Sequence, residues 1–380
     1  MQNSLRIAKI GGIEIGIHYS WLLVFLLVAW TLAAGLFPQQ YPGLDRTTYW
    51  VMGGAASLLL FVSVLIHELA HSFVAKSRGL KVTSITLFIF GGVSNISQEA
   101  RSAGEEFIVA IVGPLSSLAM AAVFWGLDRT ALASSPQGDG ILSYLVYINV
   151  TLAVFNLIPG FPLDGGRVLR AILWGATNNM RRATSIAAGI GRAVGFLFVL
   201  GGIFMAINGD FIGGLWLMFI GWFLSGAAES SNQQVELTTR LRGVQVGTVM
   251  NEKPIVVESS TRLSDLVHDY ILERGVRAIP VVDDGVLVGI ITLNEVRSVP
   301  REQWDATPVR FVMTKLADLH TTSPKTPLSD ALNAMAQHDF NQLPVTEGGR
   351  LVGIISRSDV MRFLRVREEL GIDAERSRAA

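Results

Sequence analysis

The sequence predicts a multi-span α-helical membrane protein, with about six transmembrane helices and a small membrane-associated β-sheet, joined to a cytoplasmic α/β module. Of its 380 residues, 50% are hydrophobic and only 16% are charged, against about 25% charged in soluble domains. The charges are also uneven, with 23 in the first 228 residues and 39 in the last 152. A membrane domain followed by a soluble module explains both observations.

Six apolar stretches in the first part approach the length of about 20 helical residues that crosses a hydrocarbon core. They cover residues 19–37, 50–75, 107–127, 141–163, 193–209 and 211–228. The last two are short and are separated by the turn-like Asn208-Gly209-Asp210. The first apolar run exceeds the roughly 7–15 residues of a signal peptide core, so we expect a retained anchor. Lysines and arginines concentrate on one side of these spans, which places both termini and the charged second part in the cytoplasm.

Composition also excludes several kinds of chemistry. The chain contains no cysteine, which excludes disulfides, thiolate catalysis and cysteine-ligated metals. The 31 basic and 31 acidic residues balance, and no long basic run occurs. We therefore expect no nucleic-acid partner.

Residues 81–96, between the second and third spans, are rich in β-branched and aromatic residues around Gly91-Gly92. This pattern predicts a β-hairpin with its turn at the glycines. Residues 5–17, with Gly11-Gly12 at their centre, predict neighbouring strands. Sheet edges at membrane depth must border protein or a water-filled space.

Three titratable residues interrupt the second span, in the pattern His67-Glu68-x-x-His71. Histidines four positions apart lie on one helix face, close enough to bind one zinc ion, and the glutamate beside them is a candidate general base. Ionisable residues within a membrane span are rare and usually functional. The alternative roles are helix-packing contacts or a proton relay.

Two histidines and a water leave a tetrahedral zinc ion one protein ligand short. The best candidate for the third ligand is Asp164, which ends the fourth apolar stretch where two prolines and paired glycines break the helix. An unwound segment at membrane depth can turn a carboxylate towards a metal on a neighbouring helix. The alternative is an interfacial ion pair with Arg167.

These motifs together resemble the site-2 protease family of intramembrane zinc metalloproteases, peptidase family M50, over essentially the whole membrane part. The resemblance rests on His67-Glu68-x-x-His71, Leu163-Asp164-Gly165, Asn156-x-x-Pro159, Gly91-Gly92 and Gly113-Pro114. It implies one zinc ion per chain, held by His67, His71 and Asp164. It also implies that Glu68 is the catalytic acid and base, and that substrates are cut within their own transmembrane segments.

Hydrolysis inside a membrane also requires an extended substrate and a donor to the oxyanion. The predicted hairpin offers a strand edge to which an unwound substrate could add. Gly91 and Gly92 would allow close backbone approach, or they form an ordinary turn. Asn156 is the candidate donor to the substrate backbone or to the developing oxyanion. Asn149, two turns earlier, is expected to form an interhelical contact instead.

The second part repeats itself at an offset of 63 to 65 residues. Val249-Met250 matches Val312-Met313, and Leu287-Val288-Gly289-Ile290-Ile291 matches Leu351-Val352-Gly353-Ile354-Ile355. Each copy predicts a helix, a strand, a turn, a strand and a helix, with Asp284-Gly285 and Gly348-Gly349 at the turns. The repeat resembles a tandem pair of CBS motifs, at residues 244–299 and 307–366.

The CBS resemblance implies a site for ATP, ADP or AMP. In many such pairs a Ser/Thr-x-x-Asp at the start of the last helix contacts the sugar and phosphates. The second copy matches at Ser356 and Asp359, whereas the first has Thr292 and Glu295, a longer acid that departs from the pattern. Both sequences equally fit a helix-capping role.

A basic residue such as Arg277 or Arg357 would meet the phosphates of a bound nucleotide. The alternative role of the CBS pair is to hold a homodimer.

The expected organisation is a protease domain at 1–228, a polar linker at 229–243, the two CBS motifs and a polar tail at 367–380. Expected substrates are single-span membrane proteins, namely an anti-sigma factor, a membrane-bound transcription factor or a signal-peptide remnant. The alternative from another functional class is a CBS-regulated membrane transporter or channel, because intramembrane charges also line ion paths.

Overall fold

The computed structural model describes residues 4–89, 91–96, 100–241, 243–338 and 340–370, and the chain forms two compact units, Met1–Val235 and Glu236–Ala380. Within the described residues, six helical segments are long and apolar enough to span a membrane. All six lie essentially in the first unit, which confirms the predicted multi-span fold.

The first unit contains four strands and eight helices in its described part. In chain order they are β1 (Ser4–Ile10), β2 (Ile13–His18), α1 (Ser20–Thr31), α2 (Phe37–Gln40), α3 (Arg46–Ser77), β3 (Val82–Phe88), β4 (Gly91–Ile96), α4 (Ala103–Asp128), α5 (Pro136–Asn156), α6 (Asp164–Thr177), α7 (Met180–Ile207) and α8 (Phe211–Arg240). A wider helical turn, Leu32–Leu36, joins α1 to α2, and the three pieces form the first span.

The strands form one sheet in the order β1-β2-β3-β4, with β2 and β3 parallel and the other pairs antiparallel. The predicted hairpin, β3–β4, and the predicted neighbouring strands, β1 and β2, are both present. The turn predicted at Gly91-Gly92 is wrong, because these glycines begin β4 opposite Phe88 and Leu87. Gly91 has φ of +119°, a backbone conformation that residues with a Cβ rarely adopt. Residue 90, beside this turn, lies outside the described residues.

The fourth span ends earlier than predicted. Helix α5 stops at Asn156, and residues 157–163 form a non-helical connection. Pro159 and Pro162 lie in that connection and lack the amide hydrogens that a continuing helix needs. Asp164 therefore does not end the fourth span but begins α6, a helix that the sequence interpretation missed because charged residues interrupt it.

The fifth and sixth spans are longer than predicted. They belong to α7 and α8, which are joined by the expected turn at Asn208-Gly209-Asp210, where Gly209 has φ of +102°. The region predicted as a polar linker continues α8 as far as Arg240. The prediction ended each span at its charged residues, but helical hydrogen bonding continues past the end of the apolar stretch. Residue 242 lies outside the described residues.

The second unit is an α/β module. The α-helices and strands of its described part are α9 (Leu263–Asp265), β5 (Ala278–Asp283), β6 (Val286–Thr292), α10 (Leu293–Arg297), β7 (Thr314–Lys315), α11 (Leu328–Gln337), β8 (Gln342–Glu347), β9 (Arg350–Ser356) and α12 (Arg357–Glu369). The sheet order is β5-β6-β9-β8, with β7 paired to β6. The start of the predicted polar tail lies within α12, and residues 371–380 lie outside the described residues.

The internal repeat is visible in the sheet and in the core. Both hairpins turn at the predicted pairs, Asp284-Gly285 and Gly348-Gly349, and all four residues have positive φ, as two-residue hairpin loops require. Each copy also buries its own cluster of aliphatic side chains, one around Ile279 and the other around Leu343.

Candidate metal centre and nucleotide cleft

Three candidate metal ligands converge inside the membrane unit. His67 and His71 are buried on α3, with 5% and 4% of their surface exposed. Asp164, the first residue of α6, lies with Oδ2 3.1 Å from the Nε2 atoms of both histidines. The two Nε2 atoms are 3.2 Å apart. The structure thus brings together the three residues that the sequence suggested as a metal-binding set.

The outer nitrogen of each imidazole contacts helix α4. His71 Nδ1 donates to the carbonyl oxygen of Val109 at 2.6 Å, and His67 Nδ1 lies 2.9 Å from the hydroxyl oxygen of Ser117. A carbonyl oxygen can only accept a hydrogen bond, so Nδ1 of His71 carries the hydrogen. In the neutral ring, Nε2 then carries a free lone pair. Such outer contacts orient metal-binding histidines and fix their tautomer.

The donor set fits a zinc ion. Ligands at about 2.0–2.2 Å around a tetrahedral zinc lie roughly 3.3–3.6 Å apart, and the separations here are 3.1–3.2 Å. A carboxylate oxygen facing imidazole lone pairs is repulsive unless a cation or a hydrogen lies between them. A Cβ atom at Gly113 of α4 would lie 2.1 Å from His71 Nε2 and 2.7 Å from His67 Nε2. The glycine therefore leaves open the space beside both candidate ligand atoms.

Glu68 is held beside this cluster by strand β4. Its Oε2 accepts a hydrogen bond from the hydroxyl of Ser94 at 2.7 Å, and that hydroxyl in turn accepts from Ser72 at 3.2 Å. A Cβ atom at Gly92 would lie 2.4 Å from Glu68 Cγ. The strand therefore packs its backbone directly on the glutamate side chain, and only glycine permits that distance.

A tightly packed connection presents Asp164. A Cβ atom at Gly165 would lie 2.3 Å from the carbonyl oxygen of Leu157, and one at Gly166 would lie 2.3 Å from the carbonyl carbon of Gly160. The start of α6 thus packs directly on the backbone of residues 157–163. The sequence predicted that the two glycines break the helix, and the structure shows that they also permit this close contact.

The other substrate-site candidates lie in different surroundings. Gly92 packs against Glu68, whereas Gly91 is the first residue of β4 and a Cβ there would meet no atom of the described residues within 4 Å. Asn156 ends α5, and its side-chain amide donates to the carbonyl oxygen of Leu152 in the same helix. Asn149 is fully buried and donates to Ser63 of α3 at 3.2 Å, which confirms the predicted interhelical contact.

The four nucleotide candidates cap helices. The Thr292 hydroxyl and the Glu295 carboxylate form a capping box at the start of α10, and Ser356 and Asp359 form the equivalent box at the start of α12. The backbone amides of the two cap residues donate to the acids at 2.8 and 3.0 Å. The capping alternative from the sequence is therefore present in both copies.

A cleft of about 810 Å³ nevertheless lies between the two copies. Thr292, Glu295 and Ser356 line it, whereas Asp359 is not among its described lining residues. Arg277 and Arg357 also line the cleft. Two cations and several hydroxyls in one cleft are the groups that a phosphate-bearing ligand requires.

Several contacts of the metal centre were not predicted. Val109 and Ser117 on α4 and Ser94 on β4 contact the candidate site residues, which lie on α3. A serine or a backbone carbonyl in an apolar helix carries no distinctive spacing. Gly113 was singled out in the sequence, but its contact with the histidines was not predicted.

Comparisons with known proteins identify the family of this chain. Residues 55–132 and 131–201 match Peptidase family M50, and residues 246–302 and 309–366 match the CBS domain. The chain is 34% identical over 371 residues to the protein Rip3 of Mycobacterium tuberculosis, covering 96% of this chain and 94% of Rip3. It is 32% identical over 373 residues to the protein named zinc metalloprotease MJ0392 of Methanocaldococcus jannaschii, covering 97% and 99%.

A solved site-2 protease from Methanocaldococcus jannaschii is 31% identical, with a TM-score of 0.41, and the match covers 60% of this chain and 95% of that one. None of these matches supports the transporter or channel alternative. Identity above 30% over almost the full length of relatives establishes the family. The chain is a multi-pass membrane protein that belongs to peptidase family M50, the site-2 protease family of zinc metalloproteases, and it carries a tandem pair of CBS domains.

Proposed function

We propose that this chain hydrolyses peptide bonds within the transmembrane segments of membrane proteins, with His67, His71 and Asp164 as the zinc ligands. The convergence of three donor atoms 3.1–3.2 Å apart within a bundle of membrane-spanning helices carries this proposal. A bound zinc ion would supply a water with a pKa lowered to about 7 and would polarise the scissile carbonyl.

Glu68 is the proposed general acid and base. Its carboxylate lies one position from a zinc ligand in sequence and is oriented by the Ser94 hydroxyl. In this role it accepts a proton from the attacking water and returns it to the leaving amine. Gly92 and β4 cover one side of the glutamate and limit its rotamers.

Strand β4 is the proposed docking edge for substrate. In the described part of the sheet, β4 is the last strand, and it pairs with β3 along one edge only. An unwound substrate segment that adds to its open edge would satisfy its backbone hydrogen bonds through β4. Because Gly92 contacts Glu68, this pairing would place the substrate backbone beside the proposed general base. Asn156 remains the proposed donor to the oxyanion.

The decisive experiment compares wild type with Glu68→Gln and Asp164→Asn in liposomes, with a helix-destabilised single-span substrate and added zinc. Wild type should cut within the span, at a bond mapped by mass spectrometry, and a zinc chelator should stop cleavage. Both variants should lose activity, and only Asp164→Asn should lose zinc. The exposed Glu258→Gln serves as the control. Chelator-resistant cleavage, or full activity in either site variant, would refute the proposal.

The proposed topology has both termini and the CBS pair in the cytoplasm. The absence of native cysteine makes single-cysteine labelling a clean test. Ser134→Cys, between the third and fourth spans, should react with an impermeant maleimide on intact cells. Lys325→Cys in the CBS pair should react only after lysis. Labelling of Lys325→Cys on intact cells would mean that the CBS pair lies outside the cell, and would refute the proposed topology.

We also propose that the CBS cleft binds an adenine nucleotide, ATP, ADP or AMP. Arg277 and Arg357 supply positive charge, while the rings of His320 and Phe340 offer flat surfaces for a base. Calorimetric titration of the purified chain should show binding that weakens in Arg277→Ala and in Arg357→Ala. Arg365→Ala, an exposed arginine on α12, is the control. No binding by any of the three nucleotides would leave homodimerisation as the favoured role.

The proposed substrates are single-span proteins such as an anti-sigma factor, a membrane-bound transcription factor or a signal-peptide remnant. Each presents one transmembrane helix that can unwind at a strand edge.

A further inference from the structure

Glu106 is a carboxylate without solvent exposure in the first turn of α4. Its Oε1 accepts two hydrogen bonds from the guanidinium of Arg170 on α6, one of them from Nε at 2.7 Å. Arg167 Nε lies 4.0 Å from the same oxygen. Removing one partner of a buried charge pair is destabilising, because the other charge is left buried without a counter-charge. This contact therefore holds α6 against α4.

Arg170 also contacts the connection that presents Asp164. Its guanidinium carbon lies 5.0 Å from the centre of the Phe161 ring, a cation-π distance. Phe161 is itself 6% exposed, and its backbone amide donates to the carbonyl oxygen of Ala187 at 3.2 Å. One arginine thus joins the buried acid of α4 to the turn that precedes the third candidate ligand.

Helix α4 holds the histidines as well. Val109, one turn after Glu106, accepts the hydrogen of His71 Nδ1, and Ser117 contacts His67. The same helix therefore supports the ligands on α3 directly and the ligand on α6 through the Glu106–Arg170 pair. A shift of α6 relative to α4 would change the distance from Asp164 to both histidines.

We propose that Glu106 is a positioning residue for the candidate metal centre, acting through Arg170 to hold the Asp164 carboxylate beside His67 and His71. The proposal rests on the proposed role of Asp164 as a zinc ligand. Groups that orient a metal ligand without binding the metal themselves affect its affinity, and their loss typically lowers that affinity by about 10- to 100-fold. A contact that only stabilises the fold would leave the metal affinity of the folded protein unchanged.

The test measures zinc affinity by chelator competition on the purified full-length chain, together with the absorption spectrum of the cobalt-substituted protein. Glu106→Gln should lower zinc affinity by about tenfold or more and should weaken the tetrahedral cobalt bands. Glu229→Gln breaks an exposed interhelical pair with Arg192, in which the two atoms lie 2.5 Å apart, and should change neither readout. Wild-type zinc affinity and cobalt spectrum in Glu106→Gln would overturn the proposal.

A double variant separates positioning from folding. Glu106→Gln combined with Arg170→Met removes both charges, so no buried charge is left unpaired. We expect wild-type helical content but a zinc affinity still lowered by about tenfold, because the charged contact that sets the position of α6 on α4 is gone. Restored affinity, or loss of helical content, would show that the pair acts only in folding and would overturn the proposal.

Asp164→Asn, measured in parallel, separates failure of the proposed ligand set from failure of the positioning role of Glu106. If Asp164→Asn keeps wild-type zinc affinity, the proposed ligand set is refuted, and so is the positioning role of Glu106, which depends on it. If Asp164→Asn loses zinc while the Glu106 variants keep it, only the positioning role fails.

Discussion

Nδ1 of His71 lies 2.6 Å from the carbonyl oxygen of Val109, a backbone group of the neighbouring helix α4. Because that oxygen can only accept, it decides which nitrogen of His71 faces Asp164. Ser117, two turns further along α4, contacts His67 at 2.9 Å. The histidines lie on α3, but contacts from α4 orient both of their imidazole rings.

Gly113→Ala should abolish zinc binding. The added Cβ would lie 2.1 Å from His71 Nε2, which is closer than any nonbonded contact, and it would fill the space beside both candidate ligand nitrogens. Zinc content, measured by atomic absorption, should fall from one equivalent to near zero. Gly126→Ala, in the same helix with nothing within 4 Å, should keep the full equivalent. A zinc-loaded Gly113→Ala protein would contradict this account.

Ser117→Ala should weaken zinc binding without removing it. Loss of an outer hydrogen bond to a metal-binding histidine costs about 10- to 100-fold in affinity, because the ring of His67 is no longer oriented. Chelator competition measures this change. In the described part of the chain, the adjacent Ser116 hydroxyl bonds to the backbone of its own helix, so Ser116→Ala should bind zinc as wild type does. Equal affinity in the two variants would rule out the orienting role of Ser117.

Ser94→Ala should lower kcat by about tenfold at unchanged zinc content, because a general base loses efficiency when it is not held in place. The hydroxyl of Ser94 donates to Glu68 but contacts none of the three metal-ligand candidates in the described structure. Ser72→Ala removes the hydroxyl that donates to Ser94 and leaves the hydrogen bond from Ser94 to Glu68 in place, so its effect on kcat should be smaller. Single-turnover cleavage rates separate this effect from substrate binding. An unchanged rate would mean that Gly92 packing alone orients Glu68.

Glu295→Gln should destabilise the start of α10 at neutral pH but not in acid. Partial burial alone would raise the pKa of the Glu295 carboxyl. The hydrogen bonds from Thr292, from the backbone amides and from Thr314 outweigh burial and hold that pKa below its usual range. A lowered pKa in the folded state stabilises the protein above the unfolded value of about 4.3, and that stabilisation is lost as pH falls through the folded value.

Hydrogen exchange of the β6–α10 amides measures this effect in the full-length chain. At pH 7 the variant should lose about 1 kcal/mol of local protection, the usual contribution of a helix cap. The difference from wild type should shrink as pH falls below about 4. Glu302→Gln, outside the capping box, is the control. A difference that does not depend on pH would show that the charge of Glu295 is not involved.

The sequence by itself determined the parts of this protein that depend on local spacing. Apolar stretches of about 20 residues predicted six spans because a membrane requires that length, and the i, i+4 spacing put His67 and His71 on one helix face. The second half repeats within the chain, and the φ > 0 turns at Asp284-Gly285 follow from residue type alone.

Only the tertiary structure decided the relationships between segments far apart in the chain. It made Asp164 the first residue of a new helix rather than the end of the fourth span. It brought Val109 and Ser117 into contact with the histidines. It also brought Ser94 into a hydrogen bond with Glu68, and Arg170 into one with Glu106. The physical reason is that a hydrogen bond between two elements depends on how their faces pack, and neither local spacing nor residue type encodes that packing.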